Sequence, residues 1–270
     1  MPDASPALSP GYALVTGASS GIGEQIAREY ARRGVPLVLT ARRAERLQAL
    51  AEELQAQVPV EVVAADLADP AAPAALASEL EQRGVRVRIL VNNAGYGLPG
   101  RYRASDWSDH AAFLQVMVTA VCELTWRLLP SIRASGEGRI LNVASFAALI
   151  PAADGQTLYA PAKSFLVKFS EALALENAER GVKVTALCPG FTYSEFHDVT
   201  GTRARMRVSP TMWLQAADVA RAGIDGNERG AVLVVPGWRY RLLHAIAKLL
   251  PHRWAMGLMA RNSRKVRPLD

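Results

Sequence analysis

The amino-acid sequence predicts an α/β fold: a single doubly wound parallel sheet of about seven strands with helices on both faces. Three observations predict it. Short apolar runs of strand type alternate with segments of helical apolar period from Tyr12 to Val235. Right-handed crossovers between parallel strands need helices on the flanks of the sheet, and the intervening segments are long enough to supply them. No fixed-period repeat or low-complexity linker interrupts the pattern, so residues 10–238 read as one domain and 239–270 as a basic amphipathic C-terminal extension.

The elements follow in order. Tyr12 to Thr16 is a short apolar run that meets Gly17, and Ile22, Ile26 and Tyr30 then fall at helical spacing. Leu37 to Thr40 is strand-like, Leu47, Leu50 and Leu54 are helical in period, and Val60 to Ala64 is strand-like again. Asp69-Pro70 reads as an N-cap followed by proline at the first helical position, opening a helix to about Gln82. A strand at Arg88 to Asn92, a helix around Phe113 to Leu129 and a strand at Arg139 to Val143 come next. A helix over Tyr159 to Ala178 and strands at Lys183 to Leu187 and Ala231 to Val235 complete the set.

Composition narrows the class. Half of the 270 residues are hydrophobic and 21% are charged, which suits a globular domain with one large core and excludes a disordered or collagen-like chain. The chain has 31 Lys and Arg against 25 Asp and Glu; eight and one of these lie after Trp238, leaving 23 and 24 before it. The body therefore carries no general basic field, and with no zinc spacing or RNA-binding aromatic signature a nucleic-acid partner is not expected. Cys122 and Cys188 are too few for a disulfide framework, and the first residues lack a basic n-region and an apolar h-region. No stretch reaches 18 uninterrupted apolar residues. A reduced, cytoplasmic setting is the expectation.

The segment Gly17-Ala18-Ser19-Ser20-Gly21-Ile22-Gly23 joins the first strand to the first helix. There, backbone N–H groups and the helix dipole can receive a pyrophosphate, as in a Rossmann-type dinucleotide site. Glycine permits positive φ and lets backbone approach phosphate closely. The end of the second strand decides which dinucleotide is bound: an acid would accept from the ribose 2′-hydroxyl, an arginine would pair with a 2′-phosphate. The residues are Thr40-Ala41-Arg42-Arg43, so Arg42 points to NADP(H).

Over about residues 10 to 236 the sequence resembles the short-chain dehydrogenase/reductase family. The Gly17, Gly21, Gly23 turn, Asp66 after the third strand, Asn92-Asn93-Ala94-Gly95 after the fourth, Ser145 after the fifth, Tyr159-x-x-x-Lys163 and Pro189-Gly190 after the sixth agree in order and spacing. The resemblance implies catalysis by Ser145, Tyr159 and Lys163. It implies that Asp66, with Leu67 beside it, contacts the adenine, and that Asn92, with Ala94 and Gly95, lies on the adenosine ribose side. The Pro189-Gly190 backbone, with Thr192 and Ser194, would meet the nicotinamide end; Ser194 stands where the family usually has Thr. Homodimers or homotetramers are also implied.

Tyr159 and Lys163 share one helix face. For the phenol to work near neutral pH its pKa must fall from about 10 toward about 7, roughly 4 kcal/mol. One ammonium at about 4 Å in an effective dielectric of about 20 supplies that much. The expected reaction is carbonyl reduction, or the reverse alcohol oxidation: hydride goes to the carbonyl carbon, Ser145 donates to its oxygen and Tyr159 protonates the developing alkoxide. No metal is required, and His110, His197, His244 and His252 have no ligand spacing. Met117 departs from the family, which usually has an Asn that helps hold a water beside the lysine. A thioether cannot donate, so proton delivery to Lys163 would rely on a backbone carbonyl and water, or be slower.

Substrate contacts are expected from Phe146 to Leu158 and Phe191 to Leu214. Phe146, Leu149, Ile150, Phe191, Tyr193, Phe196, Met206, Met212 and Trp213 favour a ketone or aldehyde with a hydrophobic body. Arg203, Arg205 and Arg207 suit an anionic substrate group or a solvated loop equally well. The extension runs from Trp238 through Leu242, Leu243, Ile246, Leu249 and Leu250 to Pro251 and Trp254. It is a helix docked on its own domain or a partner subunit, or a membrane-surface attachment. A cofactor-binding sensor or scaffold impaired by Met117 is the alternative to an NADPH-dependent oxidoreductase.

Overall fold

Side chains alternate across each short apolar run, and that period of two divides the core into two layers. The computed structural model describes residues 11–98, 100–155, 157–195 and 208–266. Its strands are Tyr12–Thr16 (β1), Leu37–Thr40 (β2), Val60–Val62 (β3), Val87–Asn92 (β4), Arg139–Val143 (β5), Lys183–Leu187 (β6), Thr192–Tyr193 (β7), Leu214–Gln215 (β8) and Leu233–Val234 (β9). Seven form one parallel sheet in the order β3-β2-β1-β4-β5-β6-β9, while β7 and β8 pair with each other beside it. The helices are Gly21–Arg32 (α1), Ala44–Leu54 (α2), Ala72–Gln82 (α3), Trp107–Leu114 (α4), Ala120–Ala134 (α5), Tyr159–Glu176 (α6), Ala216–Glu228 (α7), Trp238–Leu249 (α8) and His252–Val266 (α9).

Ala13, Val15, Leu37, Leu39, Ile89 and Val91 join one core layer with Ile26, Tyr30, Leu47, Leu54 and Ile224 of α1, α2 and α7. The intervening Leu14, Val38 and Leu90 join the other layer with Leu76, Leu80, Leu124, Leu128 and Ile132 of α3 and α5. Strands buried on both faces read as continuous apolar runs, which is why the sequence shows them so plainly. Arg33 ties α1 to α7 by pairing with Glu29, Asp225 and Glu228 at 2.6–2.7 Å.

The sequence reading of the third helix needs correction. The Asp69 carboxylate accepts from the Ala71 N–H at 2.9 Å, and its carbonyl accepts from the Ala72 N–H, so the residues after Asp69 close a turn before the helix begins. Pro73, not Pro70, lies in the first turn of α3. Strands β3 and β9 are also shorter than expected. The helix around Phe113 is longer: α4, a π turn at Gln115–Thr119 and α5 run on continuously. This stretch, Trp107–Ala134, is long and apolar enough to cross a bilayer, yet its buried face packs on β4 and α3.

A buried polar chain crosses the sheet beneath the strand ends. Asn92 Nδ2 donates to Asn142 Oδ1 at 2.8 Å and to Thr125 Oγ1 at 3.2 Å, and Asn142 Nδ2 donates to Ser170 Oγ at 2.9 Å. Such a chain leaves α5 and α6 little freedom to slide on β4 and β5, because a slip would strand amide groups without partners.

Candidate active site

The chain leaves β1 toward β2 on one side and β4 toward β5 on the other, so the carboxyl ends of β1 and β4 open a crevice at the point where strand order reverses. A cleft of about 690 Å³ occupies it. Its floor is stapled by Thr16, whose hydroxyl donates to the Val91 carbonyl and accepts from the Asn93 and Ala94 N–H groups. Asn93 reaches back and donates to the carbonyls of Thr16 and Gly17 at 2.9 and 3.2 Å.

This close approach explains the glycines. Gly17 and Gly21 have φ of +67° and +60°, and a Cβ on Gly17 would lie 2.8 Å from the Ala94 backbone. A Cβ on Gly23 would overlap Asn93 and the Gly17 carbonyl. Gly17, Ser19, Ser20, Gly21 and Ile22 line the cleft at the N-terminus of α1, whereas Gly23 serves behind it. Arg42, Asp66, Leu67, Ala94 and Gly95 continue the wall.

One expectation shifts by one residue. Asn92 is buried, does not line the cleft, and spends its amide on the polar chain described above; Asn93 is the asparagine at the crevice. At the end of β2, Arg42 lines the cleft and is exposed, but Arg43 makes the contacts. Its guanidinium donates to Ser19 Oγ and Ser20 Oγ at 3.1 and 2.9 Å and pairs with Glu195 at 2.9 Å. Arg46 pairs with the same carboxylate, which holds its pKa below the ordinary range, the Arg46 hydrogen bond being the largest cause. The two arginines place positive charge beside the glycine turn.

Ser145, Tyr159 and Lys163 line the same cleft. Ser145 ends the extended backbone after β5 and accepts from the Ala147 N–H at 3.2 Å, leaving its hydroxyl proton available to donate. Lys163 is 5% exposed, donates to the Val143 carbonyl at 2.7 Å, and lies 5.9 Å from the centroid of the Tyr159 ring. Burial pushes its pKa down to about 8. Met117, in the π turn, packs with Phe113 and Ala162 in the cluster against which Tyr159 rests. A Cβ on Gly95 would sit 2.8 Å from its sulfur and 3.7 Å from Lys163 Nζ. The thioether fills space beside the lysine, and a backbone carbonyl is the lysine's hydrogen-bond partner.

The third wall is Pro189, Gly190, Phe191, Thr192 and Ser194. Its geometry depends on Tyr240, a residue with no signal in the sequence. Tyr240 is 3% exposed, its hydroxyl accepts from the Phe191 N–H at 2.9 Å and donates to the Met212 carbonyl at 2.8 Å, and its ring packs edge-on against Phe146. Any Cβ on Gly190 would overlap that ring. Burial raises the Tyr240 pKa to about 12, so it remains a donor. Tyr240→Phe should lower the unfolding free energy by about 1–3 kcal/mol, the cost of leaving two backbone groups unpaired. Urea denaturation measures this, and an unchanged midpoint would show that water replaces the hydroxyl.

Of the apolar candidates for substrate contact, Phe146, Ile150, Phe191 and Met212 line the cleft. Leu149 packs into the core, and Tyr193 and Trp213 stack on each other at 4.9 Å. Phe196, His197, Arg203, Arg205, Met206 and Arg207 lie outside the described residues. His110 is buried with Nε2 at 2.8 Å from the Tyr102 carbonyl, a structural role.

Comparison with known proteins gives the family. The family model described as short chain dehydrogenase matches residues 11–204. A sulfoacetaldehyde reductase of Chromohalobacter salexigens is 41% identical over 185 residues, covering 68% of this chain and 73% of that protein. A short-chain dehydrogenase from Sphingobium yanoikuyae, solved in complex with NADPH, superposes with a TM-score of 0.78 at 31% identity over 88% of this chain and 94% of that one. A bulky-bulky ketone specific alcohol dehydrogenase from Comamonas testosteroni gives 0.73 at 28% identity over 88% and 92%.

Proposed function

The chain belongs to the short-chain dehydrogenase/reductase family and is a nicotinamide-dependent oxidoreductase of alcohol and carbonyl groups; from that premise we propose that it reduces hydrophobic ketones or aldehydes with NADPH. The observation that carries the chemistry is the buried Lys163 ammonium, held on the Val143 carbonyl against the Tyr159 ring in a cleft shared with Ser145. When bound, the reduced nicotinamide supplies a hydride to the carbonyl carbon. Ser145 donates a hydrogen bond to the oxygen on which charge develops, and the Tyr159 hydroxyl gives that oxygen its proton. Lys163 makes this transfer cheaper, because a desolvated ammonium stabilises the phenolate left behind. The turn from Gly17 to Gly23 would hold the pyrophosphate, Asp66 and Leu67 the adenine end, and the backbone from Pro189 to Thr192 the nicotinamide end.

Preference for NADPH rests on Arg42 and Arg43, with Glu195 standing where an anion already satisfies Arg43. Arg43→Ala should raise KM for NADPH by about 10–100-fold, the worth of a charge-assisted hydrogen bond, and leave KM for NADH unchanged. Steady-state kinetics with both cofactors decides this, and a wild-type preference for NADH would overturn it. The apolar wall of Phe146, Ile150, Phe191 and Met212 supports a substrate with a hydrophobic body, in keeping with the bulky ketones named for the Comamonas enzyme. Likeness to the sulfoacetaldehyde reductase instead suggests a small anionic aldehyde. Following NADPH absorbance across neutral and anionic carbonyl compounds separates the two. The sensor or scaffold alternative gains no support from a cleft in which all three reactive side chains converge.

A further inference from the structure

Helix α8 meets the domain along a narrow edge. Tyr240 is buried and His244 and Ala247 on the same side are half-buried, whereas Trp238, Leu242, Ile246 and Leu249 project from the opposite side into solvent. A helix docked only on its own domain turns its apolar stripe inward; this one turns it outward, and Leu249 is 85% exposed. The next helix repeats the arrangement: Ala255 and Met259 are half-buried, while Trp254 is 64% exposed with Leu258 exposed beside it in the helical repeat. Among the described residues, nine of the fifteen large exposed apolar side chains fall between Trp238 and Leu258. Such concentration marks an interaction surface rather than ordinary scatter.

Charge selects the occupant. From residue 239 to 269 the sequence has eight Lys and Arg and no acid. Arg239, Arg241, Lys248 and Arg253 are exposed among the apolar side chains, and Arg239 lies over the Trp238 ring at 4.7 Å from its centroid. A second copy would set one cationic segment against another. An anionic bilayer instead takes the tryptophans and leucines into the headgroup–acyl boundary and the cations at its surface, each cation strengthening binding about fivefold. We infer that α8 and α9 form a docking element lying in the plane of an anionic lipid bilayer. Leu243 and Met259 of the same helices line the cleft, so the docked surface adjoins the active site.

Sedimentation of the full chain with phosphatidylcholine vesicles, with and without phosphatidylglycerol, tests this. Wild type should pellet with the anionic vesicles at least tenfold more strongly than with the neutral ones and should be released by high salt. Leu249→Glu/Trp254→Glu and Lys248→Glu/Arg253→Glu should each bind at least tenfold more weakly, with circular dichroism and thermal midpoint unchanged. The inference is overturned if wild type stays in the supernatant, if it binds both vesicle types equally, or if both variants pellet like wild type. It is equally overturned if size-exclusion chromatography shows a wild-type oligomer that Leu249→Glu/Trp254→Glu dissociates while neither protein binds vesicles, since a second copy would then cover the face.

Discussion

Tyr159→Phe should lower kcat for carbonyl reduction by about 10³-fold while NADPH binding is retained, because it removes the hydroxyl that carries the transferable proton. The ring survives in the variant, so its packing on Phe113, Met117 and Ala162 and its place over Lys163 are preserved. Ser145 can still polarise the carbonyl, but no acid then meets the developing alkoxide except water. Single-turnover rates and a fluorescence titration with NADPH read the two quantities separately. A variant that keeps a tenth or more of wild-type kcat would remove this hydroxyl from the mechanism.

Lys163→Met should separate activity from stability in opposite directions. Activity falls by about 10²–10⁴-fold, since the phenol loses the charge that makes its proton available. Stability should rise by up to about 2 kcal/mol near neutral pH, because burial depresses the Lys163 pKa from 10.5 to about 8 and so makes the folded state bear a desolvated ammonium. A displacement of that size corresponds to roughly 3 kcal/mol, from which the unpaired Val143 carbonyl in the variant subtracts about 1–3 kcal/mol. The folded pKa lies below the unfolded one, so the penalty in wild type is full below about pH 8 and is relieved as pH rises from there toward 10.5. The stability difference between variant and wild type should therefore be largest below pH 8 and shrink across that window. Denaturation at pH 7 and pH 10 measures it, and a difference that grows with pH would refute the assignment. Active sites commonly trade stability for function in this way.

Most of the scaffold was legible because its determinants are local. Five-residue apolar runs at β1, β5 and β6 have the right length and composition for buried parallel strands, and the observed strands coincide with them. The third helix was misplaced because proline at position 70 suits a turn as well as a first helical turn, and the Asp69 carboxylate closed the turn first. The helix through Met117 showed its apolar period but not its π turn, whose extra residue per turn leaves no compositional trace.

The sequence alone determined the order of the elements, the glycines where backbone must take positive φ, and the shared helix face of Tyr159 and Lys163, since each follows from a few neighbouring residues. Only the tertiary structure decided that Asn93 rather than Asn92 faces the crevice and that Arg43 rather than Arg42 reaches Ser19 and Ser20. A one-residue difference at a strand end reverses which side a chain faces, and the partner strand sets that register. Tyr240 and the outward stripe of α8 belong to the same class. What seats the tyrosine beside Gly190, and leaves the leucines uncovered, is the meeting of segments about 50 residues apart in sequence.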